Sequence, residues 1–228
     1  MEAIVLAGGL GTRLRPLVSN APKSMALINK KPFLEILLSN LSRNGFRTVI
    51  LSLGFMSEKI IKHFGSRFNN LNIIYSVESF PLGTGGATRL AIDQIKSDHT
   101  FILNGDTFVD VDFTKANDQW IETRRPIVIV KNVPDASRYG CLKIEGKLVT
   151  SLIEKTVTGP GIINAGCYIL GKRDLDIFKM NTAFSLEMDF LMPAVSEKRL
   201  DAFITQGHFI DIGIPEDYLR AQRELGNL

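Results

Sequence analysis

The chain alternates short apolar runs with longer stretches in which apolar residues recur every three or four positions. Glu2–Ala7, Thr48–Leu53, Asn72–Val77, Thr100–Leu103 and Ile127–Lys131 are rich in Ile, Val and Leu and end at turn residues, which predicts strands. Their nearly unbroken apolar character suits strands covered on both faces of a mostly parallel sheet. Between them, Phe33–Arg43 carries Phe33, Ile36, Leu37 and Leu41 at helical spacing and stops at Asn44-Gly45. Ser57–Phe64, with Ser57 as N-cap and Gly65 as stop, reads as a second helix. Thr84–Ile95 and Phe113–Thr123 are the next two. Strand, helix and strand with short connections predict an α/β protein, a three-layer sandwich around a Rossmann-like central sheet.

After about residue 126 the pattern changes. Tyr139–Glu145, Lys147–Glu154 and Ile162–Leu170 read as strands, the first two joined by a hairpin at Glu145-Gly146. Helices return at Leu186–Lys198 and Glu216–Leu225. No repeat or Ser/Pro-rich linker divides the chain, which predicts one domain over 1–228 whose second half elaborates the sheet.

Composition narrows the function. Of 228 residues 45% are hydrophobic and 22% charged, which excludes wholesale disorder. A net charge of +3 is too mild for a nucleic-acid binder. Cys141 and Cys167 cannot build a disulfide framework or a four-thiolate zinc site, and His63, His99 and His208 show no ligand spacing. No apolar run approaches the roughly 18–20 residues that span a bilayer, so no membrane partner is expected. The start, MEAIVLAGG, does not read as a secretory signal, and the expectation is a cytoplasmic enzyme or ligand binder.

Gly8-Gly9-Leu10-Gly11-Thr12-Arg13-Leu14 follows the first strand directly, where open α/β sheets bind ligands. Clustered glycines let backbone N–H groups reach phosphate oxygens. A Walker loop would need Gly-Lys-Ser/Thr, and a dinucleotide fingerprint would need a third glycine where Leu14 stands. Neither is present. Arg13 and Lys23 flank a segment stiffened by Pro16 and Pro22, an arrangement suited to a triphosphate whose leaving pyrophosphate needs charge neutralised.

GGLGTRLRPL followed by APKSM resembles the signature of the sugar-phosphate nucleotidylyltransferases, and the likeness continues along nearly the whole chain. The resemblance implies a nucleotidyltransferase fold of the GT-A-like kind and a reaction of a sugar 1-phosphate with a nucleoside triphosphate, releasing pyrophosphate. It assigns a nucleotide-binding half over about 1–125 and a sugar-binding half over about 126–228. Leu6, Ala7, Gly8, Gly9, Leu10, Gly11 and Thr12 would hold the nucleotide, with Arg13, Lys23 and Asp106 catalytic. PLGTGGA matches the family's nucleobase segment, which brings in Pro81, Gly83, Thr84 and the preceding Glu78. A carboxylate at 78 can accept from N1–H and the exocyclic amine of guanine, whereas uracil offers only N3–H, so GTP is favoured.

Asn104-Gly105-Asp106 closes an apolar strand, and the resemblance gives Asp106 and Asp211 to Mg²⁺. The family commonly has Asp-x-Gly-Thr-Pro around the second carboxylate, and Ile214 departs from it. Gly140, Glu154, Lys155 and Asn164 fall in family order as sugar-phosphate ligands: Glu154 and Asn164 for hydroxyls, Lys155 for the 1-phosphate, Gly140 as room for the ring. Ser185-Leu186-Glu187-Met188-Asp189 reads as a helix cap first and indirect support for the sugar second. The chain length and the Ile-Asp-Ile-Gly-Ile-Pro-Glu-Asp-Tyr ending point within the family to guanylyl transfer onto a heptose 1-phosphate, with mannose 1-phosphate or a uridylyl or thymidylyl transfer as alternatives. They also imply a bare catalytic domain without extension. A homodimer is compatible with the resemblance. Asp110-Val111-Asp112 raises a rival, the metal motif of glycosyltransferases, but its position before Phe113 favours capping of the following helix. A non-catalytic nucleotide-sugar sensor is the other class, against which the retained charged set argues.

Overall fold

β1 (Glu2–Leu6) sends Ala3 and Val5 into one apolar layer and Ile4 into another, so the sheet it anchors is covered on both faces. The computed structural model describes residues 1–9, 11, 14, 21–153 and 158–226. After β1 a 3-10 turn, Lys23–Met25, leads to the small hairpin β2 (Leu27–Ile28) and β3 (Lys31–Pro32). Then come α1 (Phe33–Arg43), β4 (Thr48–Leu53), α2 (Ser57–Phe64), β5 (Arg67–Phe68) and β6 (Leu71–Val77). α3 (Gly83–Ile92), β7 (His99–Asn104), β8 (Thr107–Val109) and α4 (Phe113–Thr123) complete the first half. The second half holds β9 (Ile127–Val133), β10 (Cys141–Glu145), β11 (Leu148–Ile153) and the long β12 (Gly161–Gly171). A π-helical turn, Leu186–Leu191, runs into α5 (Met192–Ser196), followed by β13 (Asp201–Thr205), β14 (Phe209–Asp211) and α6 (Pro215–Glu224).

Ten strands form one sheet in the order β10-β11-β13-β9-β12-β7-β1-β4-β6-β5. β6, β4, β1 and β7 are mutually parallel, as are β9 and β13. β12 runs antiparallel to both β7 and β9, and β5, β10 and β11 also pair antiparallel. The sheet is therefore mixed, with β6, β4, β1 and β7 forming the expected parallel part and the antiparallel pairs lying mainly in the second half. In the first half helices carry the chain back between strands and keep them parallel; in the second half hairpin connections remove that need.

Two local irregularities position the site. Against β9, the register of β12 slips between Asn164 and Tyr168, and Gly166 adopts φ +67. A Cβ there would stand 2.8 Å from Asn104 Nδ2, so only glycine lets the bulge close onto the end of β7. Away from the main sheet, β8 and β14 pair antiparallel with Asp211 opposite Thr107. A third apolar cluster, including Phe33, Phe108, Ile210, Ile212 and Leu225, packs beneath this ladder and fixes it against α1 and α6.

The caps follow the residues. Asp112 accepts from the Lys115 N–H and starts α4. Ser185 accepts from the Met188 N–H at 3.2 Å, while its own N–H donates to Asp189 at 2.7 Å. This is a reciprocal cap whose acid sits one position later than in an α-helix, as the wider π-helical turn requires. The predicted continuous helix over Leu186–Lys198 is thus a π turn and a short α5. Cys141 and Cys167 are free and buried, and burial pushes the Cys167 thiol up.

Candidate active site

Two clefts open side by side at the ends of β1, β7 and β12. The first, about 560 Å³, is lined by Leu6, Gly8, Gly9, Glu78, Pro81, Gly83, Thr84 and Asp106, together with Ser52, Gly54, Phe55, Phe80, Ala87 and Asn104. The second, about 450 Å³, is lined by Gly140, Asn164 and Asp211 with Asn104, Thr107, Arg138, Tyr139, Gly166, Glu187, Phe209, Ile214 and Asp217. Asn104 borders both. The structure thus gathers most of the expected nucleotide residues in one cleft and the described sugar residues in its neighbour. Leu10, Thr12, Arg13, Glu154 and Lys155 lie outside the described residues.

Two members of the loop have other partners. Ala7 turns its side chain into the core and spends its N–H on Ser52 O at 2.8 Å. Gly11, at φ +60, lies against Lys23, whose Cβ would be 2.8 Å from an added Cβ. That glycine therefore makes room for Lys23, which reaches Asp106 through its ammonium.

Asp106 and Asp211 converge through the β8–β14 ladder: Ile212 N–H donates to Asp106 O at 2.9 Å. Asp211 accepts from Gly213 N–H at 2.7 Å. Burial foremost, then the Asp106 charge, pushes the Asp211 carboxyl above the usual carboxylate range, with Lys23 pulling the other way. Two crowded carboxylates offset by an ammonium present hard oxygen donors that fit a divalent cation. Among the described residues no group of three or more His, Cys, Asp and Glu gathers for a metal. Asp110 and Asp112 line neither of these two clefts; Asp112 caps α4 and the Asp110 N–H donates to His208 O.

Glu78 lines the first cleft and is partly buried. Its Oε2 accepts from Leu82 N–H at 3.0 Å, and its Oε1 lies where a Cβ on Gly54 would come within 2.5 Å. Burial pushes its carboxyl up, with the Leu82 hydrogen bond opposing. The glycines of the nucleobase segment do more than clear space for a base. A Cβ on Gly83 would meet Phe184 O at 2.6 Å, one on Gly85 the Phe184 ring at 2.2 Å, and one on Gly86 Thr182 O at 2.4 Å.

Sequence reasoning missed part of the second cleft. Asn164 donates to the Tyr168 hydroxyl at 2.9 Å, which donates to Glu187 Oε1 at 3.0 Å. Glu187 therefore touches the cleft directly rather than supporting it from behind. Burial, then the Glu187 charge, raises the Tyr168 hydroxyl well above its ordinary range, keeping it a neutral donor. Arg138 donates to both Asp217, at 2.6 Å, and the Tyr139 hydroxyl, joining the two walls of this cleft. The only sequence signal for Tyr168 and Glu187 was a polar group in an apolar strand and an acid inside a cap.

The two clefts share Asn104, with Asp106 in one and Asp211 in the other, and the chain belongs to the nucleotidyl transferase family, whose model matches residues 2–227. It is 41% identical over 226 residues to the D-glycero-alpha-D-manno-heptose 1-phosphate guanylyltransferase of Aneurinibacillus thermoaerophilus, covering 99% of this chain and 98% of the relative. The enzyme of the same name from Campylobacter jejuni is 40% identical, covering 96% of this chain and 97% of its own. The crystal structure of HddC from Yersinia pseudotuberculosis complexed with GMP-PN superposes with a TM-score of 0.87 at 37% identity, over 98% of this chain and 99% of the other.

Proposed function

We propose that this chain is a sugar-1-phosphate guanylyltransferase joining D-glycero-α-D-manno-heptose 1-phosphate to GTP, giving GDP-heptose and pyrophosphate for bacterial surface polysaccharide synthesis in the cytoplasm. The observation that carries the reading is the meeting of the two clefts at Asn104, with Asp106 in one and Asp211 in the other. The first cleft draws its lining from the first half of the chain and the second mainly from the later half, which supports one catalytic domain with nucleotide and sugar halves. Among the described residues no helix is long and apolar enough to cross a membrane.

The sugar 1-phosphate is an oxyanion at neutral pH, so the chain need not supply a general base; it must position two anions and neutralise charge. Gly8 and Gly9 leave the floor of the first cleft open to phosphates, and Glu78 accepts from the guanine edge. Lys23, held beside Asp106, provides a cation near the α-phosphate. A divalent metal, Mg²⁺ in this reading, bound by Asp106 and Asp211, supplies positive charge against that developing on the triphosphate. Asn164 and Glu187 orient sugar hydroxyls, and the buried Tyr168 hydroxyl between them holds both in place. Arg13 and Lys155, outside the described residues, are assigned to the triphosphate and the sugar phosphate.

Pyrophosphate release measured with GTP, ATP, UTP and dTTP against heptose and mannose 1-phosphates tests the reading. Turnover should be fastest with GTP and the heptose; a preference for UTP or dTTP overturns the base, and for mannose 1-phosphate the sugar. Glu78 gives a pH signature. Only the ionised carboxylate accepts from both guanine donors, and its raised pKa means that it is neutralised at a higher pH than an ordinary Glu. GTP affinity should therefore fall as pH drops through that raised value. Glu78→Gln should abolish this acid limb and reduce the preference for GTP over UTP by about tenfold. An unchanged limb in the variant counts against the assignment.

A further inference from the structure

The nucleobase segment is strapped to the part of the chain that forms the sugar cleft. Phe184 N–H donates to Leu82 O at 3.0 Å, and Gly85 N–H donates to Phe184 O at 3.0 Å. Gly83, Gly85 and Gly86 leave no room for side chains beneath this strap. Phe184 in turn stacks on Phe178 with ring centroids 3.9 Å apart. The third tie is a side chain: Thr84 Oγ1 accepts from the Leu186 N–H at 3.0 Å. Leu186 is the first residue of the π-helical turn, with its side chain buried, and the next residue is Glu187. Glu187 accepts from Tyr168, which accepts from Asn164, and both carboxylate and amide face the sugar cleft.

We propose that Thr84, which lies in the nucleobase segment, is a positioning residue for the sugar 1-phosphate. Its hydroxyl fixes the start of the π-helical turn and hence the angle at which Glu187 presents itself to Tyr168 and the sugar. The first-turn N–H groups of a helix have no partners within it, so the acceptor at Leu186 decides how firmly that end is held. Ser185 satisfies Met188, but the Leu186 N–H relies on Thr84. Thr84 lines the first cleft, but its hydroxyl oxygen is engaged by the backbone N–H at the start of the turn that carries Glu187 into the second.

This inference rests on the proposed substrates, and the experiment separates the two. Thr84→Val keeps the shape and removes the acceptor; Thr84→Ser restores it. With GTP, heptose 1-phosphate and Mg²⁺, the valine variant should raise the KM for the sugar phosphate about fivefold, the loss expected for one hydrogen bond. Because Thr84 also lines the nucleotide cleft, the KM for GTP should rise as well but by clearly less than that for the sugar phosphate, and serine should return the sugar KM to the wild-type value. A rise in the GTP KM equal to or larger than that for the sugar overturns the proposal, as does no change in either, or failure of serine to rescue. Thr84→Ala asks the same question should the valine variant not fold. Should wild-type protein prefer another sugar phosphate, the substrate reading falls and the same split is read with that sugar.

Discussion

Asp106→Asn should reduce pyrophosphate release by about a thousandfold or more at saturating Mg²⁺, with a thermal midpoint within a few degrees of wild type. Asp106 lies two residues beyond β7 in the first cleft, and asparagine preserves its shape while removing the charge that opposes Lys23 and, in the proposed reading, would hold a cation. The fold should lose little because Asp106 keeps about a third of its side chain exposed and removing its charge also relieves its repulsion with Asp211. Kinetics and melting curves of the purified variant decide the matter: substantial turnover removes Asp106 from the metal, and a collapsed melting curve makes it structural.

Gly105→Ala should damage both stability and activity. An added Cβ would lie 2.7 Å from Leu6 O and 3.0 Å from Ala7 Cβ, and the crowded atoms belong to β1 and its extension rather than to a flexible side-chain end. The Gly105 N–H also donates to that same Leu6 carbonyl at 2.9 Å, so the contact cannot open without losing the bond. Overpacking of this kind costs about 1–3 kcal/mol, which for a chain of this size lowers Tm by about 2–12 °C. Because Asp106 is the next residue, a displacement of about 1 Å should also lower kcat about a hundredfold. Calorimetry and steady-state kinetics measure the two effects; alanine accepted without loss of either would show that β1 and β7 yield more readily than their geometry indicates.

The residues that were legible in the sequence carry their signal locally. α1, α2, α4 and β4 have the predicted bounds because their apolar pattern and stop signals are local; the expected Ser57 cap is not made, since Met56 at φ 55 precedes α2 and Ser57 is already its first helical residue. α3 begins one residue earlier than expected and ends three earlier, where no strong stop marks the boundary. β8 and β14 were invisible: each has three residues, and each is stabilised only by the other and by the cluster beneath, a hundred positions away. β13 was missed because it opens on a buried Asp201 that pairs with Arg125, not on an apolar residue. The site divides in the same way. Asp106, Glu78 and Gly8 announce themselves by motif, whereas the convergence of Asp106 with Asp211 and the Asn164–Tyr168–Glu187 chain exist only once β12 bulges and the π turn docks.

The glycine-backed strap also bears on how this sequence can drift. The position of Gly85 is occupied, in effect, by the ring of Phe184, and that ring is pinned by Phe178. A larger residue at 85 is therefore admissible only together with a smaller one at 184, and a smaller one at 184 strands half of the stack at 178. Three sites spread over nearly a hundred residues form a single heritable unit. Recombination between relatives that cut between them would join halves whose nucleobase segment and strap were shaped for different partners.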